Sequence, residues 1–163
     1  MILSRSRSKA EEAPYSFQER FRNIQRIAII YPEKNEWLRI ARYTLQNLYS
    51  LPDRFEFLIL TPADTERPKL HVPHAYEDMV YQPGTAQFAD VNSKIAAFNP
   101  ELLLQLEPAP SVKLERAILS LNVPLKIGFG TERSGLNIVY SQKPTGFYEK
   151  NLLNLISLLR LKS

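Results

Sequence analysis

The chain has 163 residues, 44% of them hydrophobic and 23% charged, a balance that fits one globular domain and excludes a disordered polymer or a two-domain enzyme. It contains no cysteine, which excludes a disulfide framework and thiolate chemistry and points to the cytoplasm, and it has neither a membrane-length apolar run nor a signal-peptide pattern. The pI of about 9.3 invites a nucleic-acid reading, but residues 1–26 hold six basic residues against Glu11, Glu12 and Glu19, three of the four net positive charges. A basic tail on a near-neutral body suits salt-sensitive contact with an anionic surface and not recognition of a specific nucleic acid.

Residues 1–14, polar and closed by Pro14, read as a disordered tail. In residues 15–25, Ser16 and Glu19 form a capping-box pair, and Phe17, Phe21 and Ile24 fall at i, i+4, i+7, the pattern of a small amphipathic helix. Residues 1–25 are thus a candidate for peripheral contact with an anionic membrane, although packing of the helix on the domain is the plainer use of three apolar side chains.

The stretch from Arg26 to Tyr49 organises the rest of the chain. Ile27–Tyr31 is an apolar strand without alternation, Pro32 opens a turn, and Trp37, Ile40, Ala41, Thr44, Leu45 and Leu48 recur at helical spacing. Phe55–Leu60 is a second apolar strand. A proline-rich loop runs from Thr61 to Pro73, and a short third strand is expected at Met79–Tyr81. Phe88, Val91, Ile95 and Phe98 mark a helix over Ala86–Phe98, stopped by Asn99 and Pro100. Glu101–Leu106 is the fourth strand, Val112–Leu121 a helix, Leu125–Phe129 the fifth strand, and a sixth strand is expected around Asn137–Tyr140. Strand and helix in alternation predict an α/β, Rossmann-like, three-layer domain over residues 26–163, with a mostly parallel sheet of five to six strands.

The last helix, Phe147–Leu161, is apolar over more of its circumference than one core contact uses. With Leu152, Leu155, Ile156 and Leu159 facing the sheet, Leu153, Leu158 and Leu161 are left over. A second copy of the chain, a partner domain or the N-terminal helix would cover them.

Open parallel sheets place ligands in the loops beyond their strand ends, so a site is expected to begin at Tyr31–Trp37. There Glu33 and Glu36 are candidate bases, Lys34 a candidate charge stabiliser, and Tyr31, Lys34 and Asn35 candidate ligand contacts. Gly128, Gly130 and Gly135 lie near the fifth strand, but the third glycine of a dinucleotide fingerprint is replaced by Arg133. Permissive backbone beside a ligand or a neighbouring strand is the expected cause, with Arg133 and Ser134 as candidate anion contacts. His71, His74, Glu77 and Asp78 offer ligand atoms, yet Pro73 prevents a helical clamp, so neither metal nor cofactor is expected.

The order of motifs resembles the N-terminal, acceptor half of the heptosyltransferase-like glycosyltransferases (glycosyltransferase family 9), two-domain enzymes of GT-B type in lipopolysaccharide assembly. The matching stretches are RIAIIYPEKNEWLRIARYTL, FNPELLLQLEP, VPLKIGFG and GFYEKNLLNLISLLRL, in the family's order from Arg26 to Leu161. The resemblance implies an aspartate base after a glycine in the first loop, but those places, counted from Pro32, are Trp37 and Glu36, so Glu36 is the remaining base candidate. The family's acidic place in the fourth strand is Gln105, and the small residue ending it is Pro108. The nucleotide-sugar domain that succeeds the closing helix in the family would lie beyond Ser163. The expectation is therefore a lone lobe, inactive by itself, serving as a binding or accessory module, or else the acceptor half of a split glycosyltransferase.

Overall fold

The computed structural model describes residues 24–45, 55–63, 76–81, 89–131, 134–140 and 147–160. Residues 1–14, residues 15–23 of the helix expected at 15–25, His71, His74, Phe88 and Arg133 lie outside the described residues.

An apolar strand without alternation needs cover on both faces, and that requirement shapes the fold. The elements in chain order are β1 (Arg26–Ile30), α1 (Asn35–Leu45), β2 (Glu56–Pro62), β3 (Tyr76–Tyr81), α2 (Ala89–Phe98), β4 (Leu102–Gln105), α3 (Val112–Ser120), β5 (Leu125–Phe129), β6 (Ile138–Tyr140) and α4 (Tyr148–Arg160). The six strands form one sheet in the order β3-β2-β1-β4-β5-β6, and every pairing is parallel. This is the expected Rossmann-like α/β arrangement.

Alternate residues of the central strands serve two cores. Ile27, Ile29, Phe57, Ile59, Leu104 and Ile127 face Leu38 and Ala41 of α1 and Leu152 and Leu155 of α4. On the other face, Ala28, Ile30, Leu58, Leu60 and Leu103 pack with Val91 and Ile95 of α2 and Leu114 and Ile118 of α3.

Local chemistry sets the helix ends. Ser111 caps α3 by accepting from Leu114 N at 3.1 Å, and Lys126 Nζ donates to Ile118 O and Leu119 O at its other end, at 2.8 and 3.3 Å. Burial holds the Lys126 ammonium below its ordinary value. Asn99 ends α2 with φ of 55°, a left-handed conformation that asparagine tolerates.

Two details differ from the periodicity. β3 begins at Tyr76, three residues before the expected Met79, because Glu77 and Asp78 are exposed on an edge strand, where charge is tolerated and discourages further pairing. The buried stripe of α1 runs through Leu38, Ala41 and Thr44, while Trp37 and Ile40 are only partly buried. The cause is α4, which packs alongside: the Trp37 ring meets Tyr148 edge-on at 5.1 Å and 66°.

Candidate functional site

From β1 and β4 the chain leaves toward opposite edges of the sheet, so the crevice between their C-terminal ends is the switch point where open α/β sheets bind ligands. The ladder runs one residue past each strand: Tyr31 N donates to Leu60 O at 2.9 Å, and Leu106 N donates to Ile30 O at 3.0 Å. Beyond them the two loops approach each other, and a side chain of the protein itself bridges the gap.

That side chain is Glu107, 4% exposed. Its Oε1 accepts from Glu33 N at 2.9 Å and its Oε2 from Ala109 N at 3.0 Å. One carboxylate thus satisfies backbone amides from both loops, the service an anionic ligand performs in such crevices. Gln105, wholly buried, supports it from below: its Nε2 donates to Glu107 O and Phe129 O, each at 2.9 Å, while its Oε1 accepts from Glu107 N at 2.7 Å. Tyr148 of α4 donates its hydroxyl to Leu106 O at 2.6 Å, and Tyr81 at the end of β3 donates to Tyr31 O at 3.5 Å.

The Glu107 charge is felt around the crevice. Burial first, and Glu107 second, hold the Glu33 carboxyl above its ordinary value of 4.5. The phenols of Tyr81 and Tyr148 are pushed far up by burial, with Glu33 and Glu107 adding to the first and Glu107 and Tyr31 to the second. Glu33 is the candidate base whose proton affinity this environment tunes.

A raised folded-state pKa makes Glu33 stabilising only while it is protonated. The contribution is full below the ordinary carboxylate value and is lost as pH rises through the raised one. Glu33→Gln is therefore expected to flatten the alkaline fall of that limb. Urea midpoints of both proteins between about pH 4 and about pH 8 check it, and parallel curves would contradict it.

The other sequence-derived candidates are dispersed. Tyr31 is wholly buried on the face under α1. Lys34, Asn35 and Glu36 are exposed at the start of α1, with Asn35 bordering a shallow hollow beside Arg39 and Arg42. Ser134 is buried and lies in another loop, where its hydroxyl donates to Thr131 O at 2.7 Å and accepts from Leu136 N at 3.4 Å. That loop is tied down further by Glu115, whose Oε2 accepts from Thr131 N and Oγ1 at 2.6 and 2.8 Å. Gly128 sits within β5 opposite Gln105, so close approach to a neighbouring strand accounts for this glycine. Among the described residues no group of three or more acidic or histidine side chains is placed to hold a metal ion. No described helix is long and apolar enough to cross a membrane.

Sequence reasoning passed over Glu107, which stands in a proline-containing loop and looks solvated. Its signal was position: an acid directly after an apolar strand, at the switch point.

No family model matches the chain, and no curated protein does. Among solved structures, the chain is similar to the E. coli heptosyltransferase WaaC, determined with ADP-2-deoxy-2-fluoro heptose, with a TM-score of 0.51 and 12% sequence identity over 85% of this chain. The likeness is one of fold. The chain spans about half the length of that enzyme, 49% of its residues, and shares with it the Rossmann-like architecture expected of a heptosyltransferase-like lobe.

Proposed function

We propose that this chain is a glycosyltransferase-like lobe that binds a sugar-containing ligand or partner in bacterial cell-envelope metabolism and does not by itself transfer sugar. The observation that carries this reading is Trp37. It stands where the resemblance places the catalytic aspartate, and its indole is packed edge-on against Tyr148 instead of presenting a proton acceptor. Glu107 supports the non-catalytic part, since it already satisfies the crevice amides that an anionic group would use. Transfer also needs donor and acceptor held together in near-attack geometry, which one lobe does not provide.

The test is direct. The purified chain, incubated with an ADP-heptose donor and a lipopolysaccharide-type acceptor, is expected to bind the acceptor sugar in calorimetry and to form no transfer product. Transfer by the chain alone would overturn the non-catalytic part, and absence of acceptor binding would overturn the binding part.

A second reading, the acceptor half of a split glycosyltransferase, draws on the exposed Glu36 in the first turn of α1, at the edge of the sheet where open α/β sheets bind ligands. If adding a donor-domain protein restores turnover, Glu36→Gln is expected to lower it by about 10²-fold or more under this reading, as loss of a general base does. Unchanged turnover would remove Glu36 from the chemistry.

A further inference from the structure

Glu33 lies two residues ahead of α1 and Ala109 three ahead of α3, so the backbone N–H groups of both stand at helix N-termini, where partial positive charge favours an anion. Both donate to the Glu107 carboxylate, at 2.9 and 3.0 Å, and that side chain is almost wholly buried. The crevice holds an anion of its own. A phosphate or carboxylate group of a ligand would need the same two donors in the same place.

Glu107 is also fixed where it is. Its N–H donates to Gln105 Oε1 at 2.7 Å, its carbonyl accepts from Gln105 Nε2 at 2.9 Å, and the preceding carbonyl, Leu106 O, accepts from the Tyr148 hydroxyl at 2.6 Å. Pro108 then sets φ of the next residue. With its backbone held on both sides, Glu107 leaves the crevice only by a change of side-chain rotamer that strands the two amides. The Glu33 carboxyl stands near enough to feel it: burial first, and the Glu107 charge second, raise the Glu33 proton affinity. The crevice is thus negative before any ligand arrives.

We infer that Glu107 is a specificity-determining residue, a built-in anion that closes the crevice to phosphate and carboxylate groups, so that the part of a ligand entering it is uncharged and hydroxyl-bearing. Like charges brought together at a binding surface oppose association strongly enough to choose between ligands. The carboxylate uses two of its roughly four acceptor positions on the amides, and sugar hydroxyls are donors suited to the rest. The inference rests on the proposed sugar binding for the nature of the ligand alone; the exclusion of anions follows from the crevice itself.

Amide NMR during a titration with inorganic phosphate, at constant ionic strength, tests it. In the native chain the Glu33 and Ala109 amide resonances are expected to stay in place, and a saturable shift of either would overturn the inference without recourse to any variant. In Glu107→Ala the two amides are freed, and phosphate is expected to shift both resonances, with an affinity at least about tenfold above that of the native chain. Glu107→Gln removes the charge while keeping one acceptor and nearly the same shape, so it carries the comparison if the alanine variant folds poorly. Its phosphate affinity is expected to lie between the other two. If neither variant gains phosphate binding over the native chain, the amides are no anion site and the inference fails. No sugar is present in these titrations, so their failure is distinguishable from a failure of the proposed sugar binding.

Discussion

Gln105→Leu is expected to lower stability by about 3–5 kcal/mol, because it leaves three buried backbone groups without the partner they have now. Those groups are Glu107 N, Glu107 O and Phe129 O, all bonded to one side chain at 2.7 to 2.9 Å. For a domain of this size the loss corresponds to a melting temperature lower by roughly 10 °C or more. Thermal and urea melts of both proteins check it, and a fall under about 1 kcal/mol would mean that water replaces the lost partners. Gln105→Glu carries a more specific signature. A carboxylate accepts from Glu107 N but has no hydrogen for the two carbonyls, whereas a protonated carboxyl donates to one of them. Its folded-state pKa must then be raised, so the variant's deficit is expected to shrink as pH falls through that raised value and to widen above it. A deficit independent of pH would show that donation to Glu107 O and Phe129 O is not what the amide contributes.

Gly128→Ala is expected to be at least as damaging. A Cβ at Gly128 would lie 2.2 Å from Gln105 O, 2.6 Å from Gln105 Cβ and 2.9 Å from Gln105 C, mostly backbone that yields only if β4 and β5 separate. Overpacking a core ordinarily costs about 1–3 kcal/mol, and a clash with a paired strand belongs at or above the upper end of that range. Gly130→Ala is the control. Its new Cβ would meet Ser134 Oγ at 3.0 Å and Glu115 Oε2 at 3.2 Å, side-chain atoms that shift by a few tenths of an ångström, so a markedly smaller loss is expected. Equal melting temperatures for the two variants would refute the steric account of Gly128.

These two residues show how far the sequence can be read. In the sequence Gln105 looks like one polar residue in an apolar strand, and Gly128 like a glycine that a ligand or a neighbouring strand requires, without saying which. Their pairing across β4 and β5 explains both: the strand without a side chain leaves room for the strand whose side chain turns upward to hold the crevice. The fold itself is legible, because the evidence for it is local. Ile27–Tyr31 is apolar at every position and Phe57–Leu60 at four in a row, as a strand buried on both faces requires, Leu125–Phe129 is broken only by Lys126 and Gly128, and the intervening segments repeat at helical spacing. β3 reads short for a reason of the same kind, since edge-strand charge imitates a loop.

The crevice is not legible, because its bonds join residues far apart in the chain. Glu107 meets the amide of Glu33 across 74 residues, and Gln105 meets Phe129 across 24. No window of sequence contains either pair, and a buried glutamate beside prolines is written in the same letters as an exposed one. Burial patterns thus determined from sequence alone that this chain is a doubly covered parallel sheet. Which acid closes the sheet's ligand edge, and that Trp37 lies against Tyr148, was decided only when folding brought the ends of separate strands and helices within hydrogen-bonding and ring-contact distance.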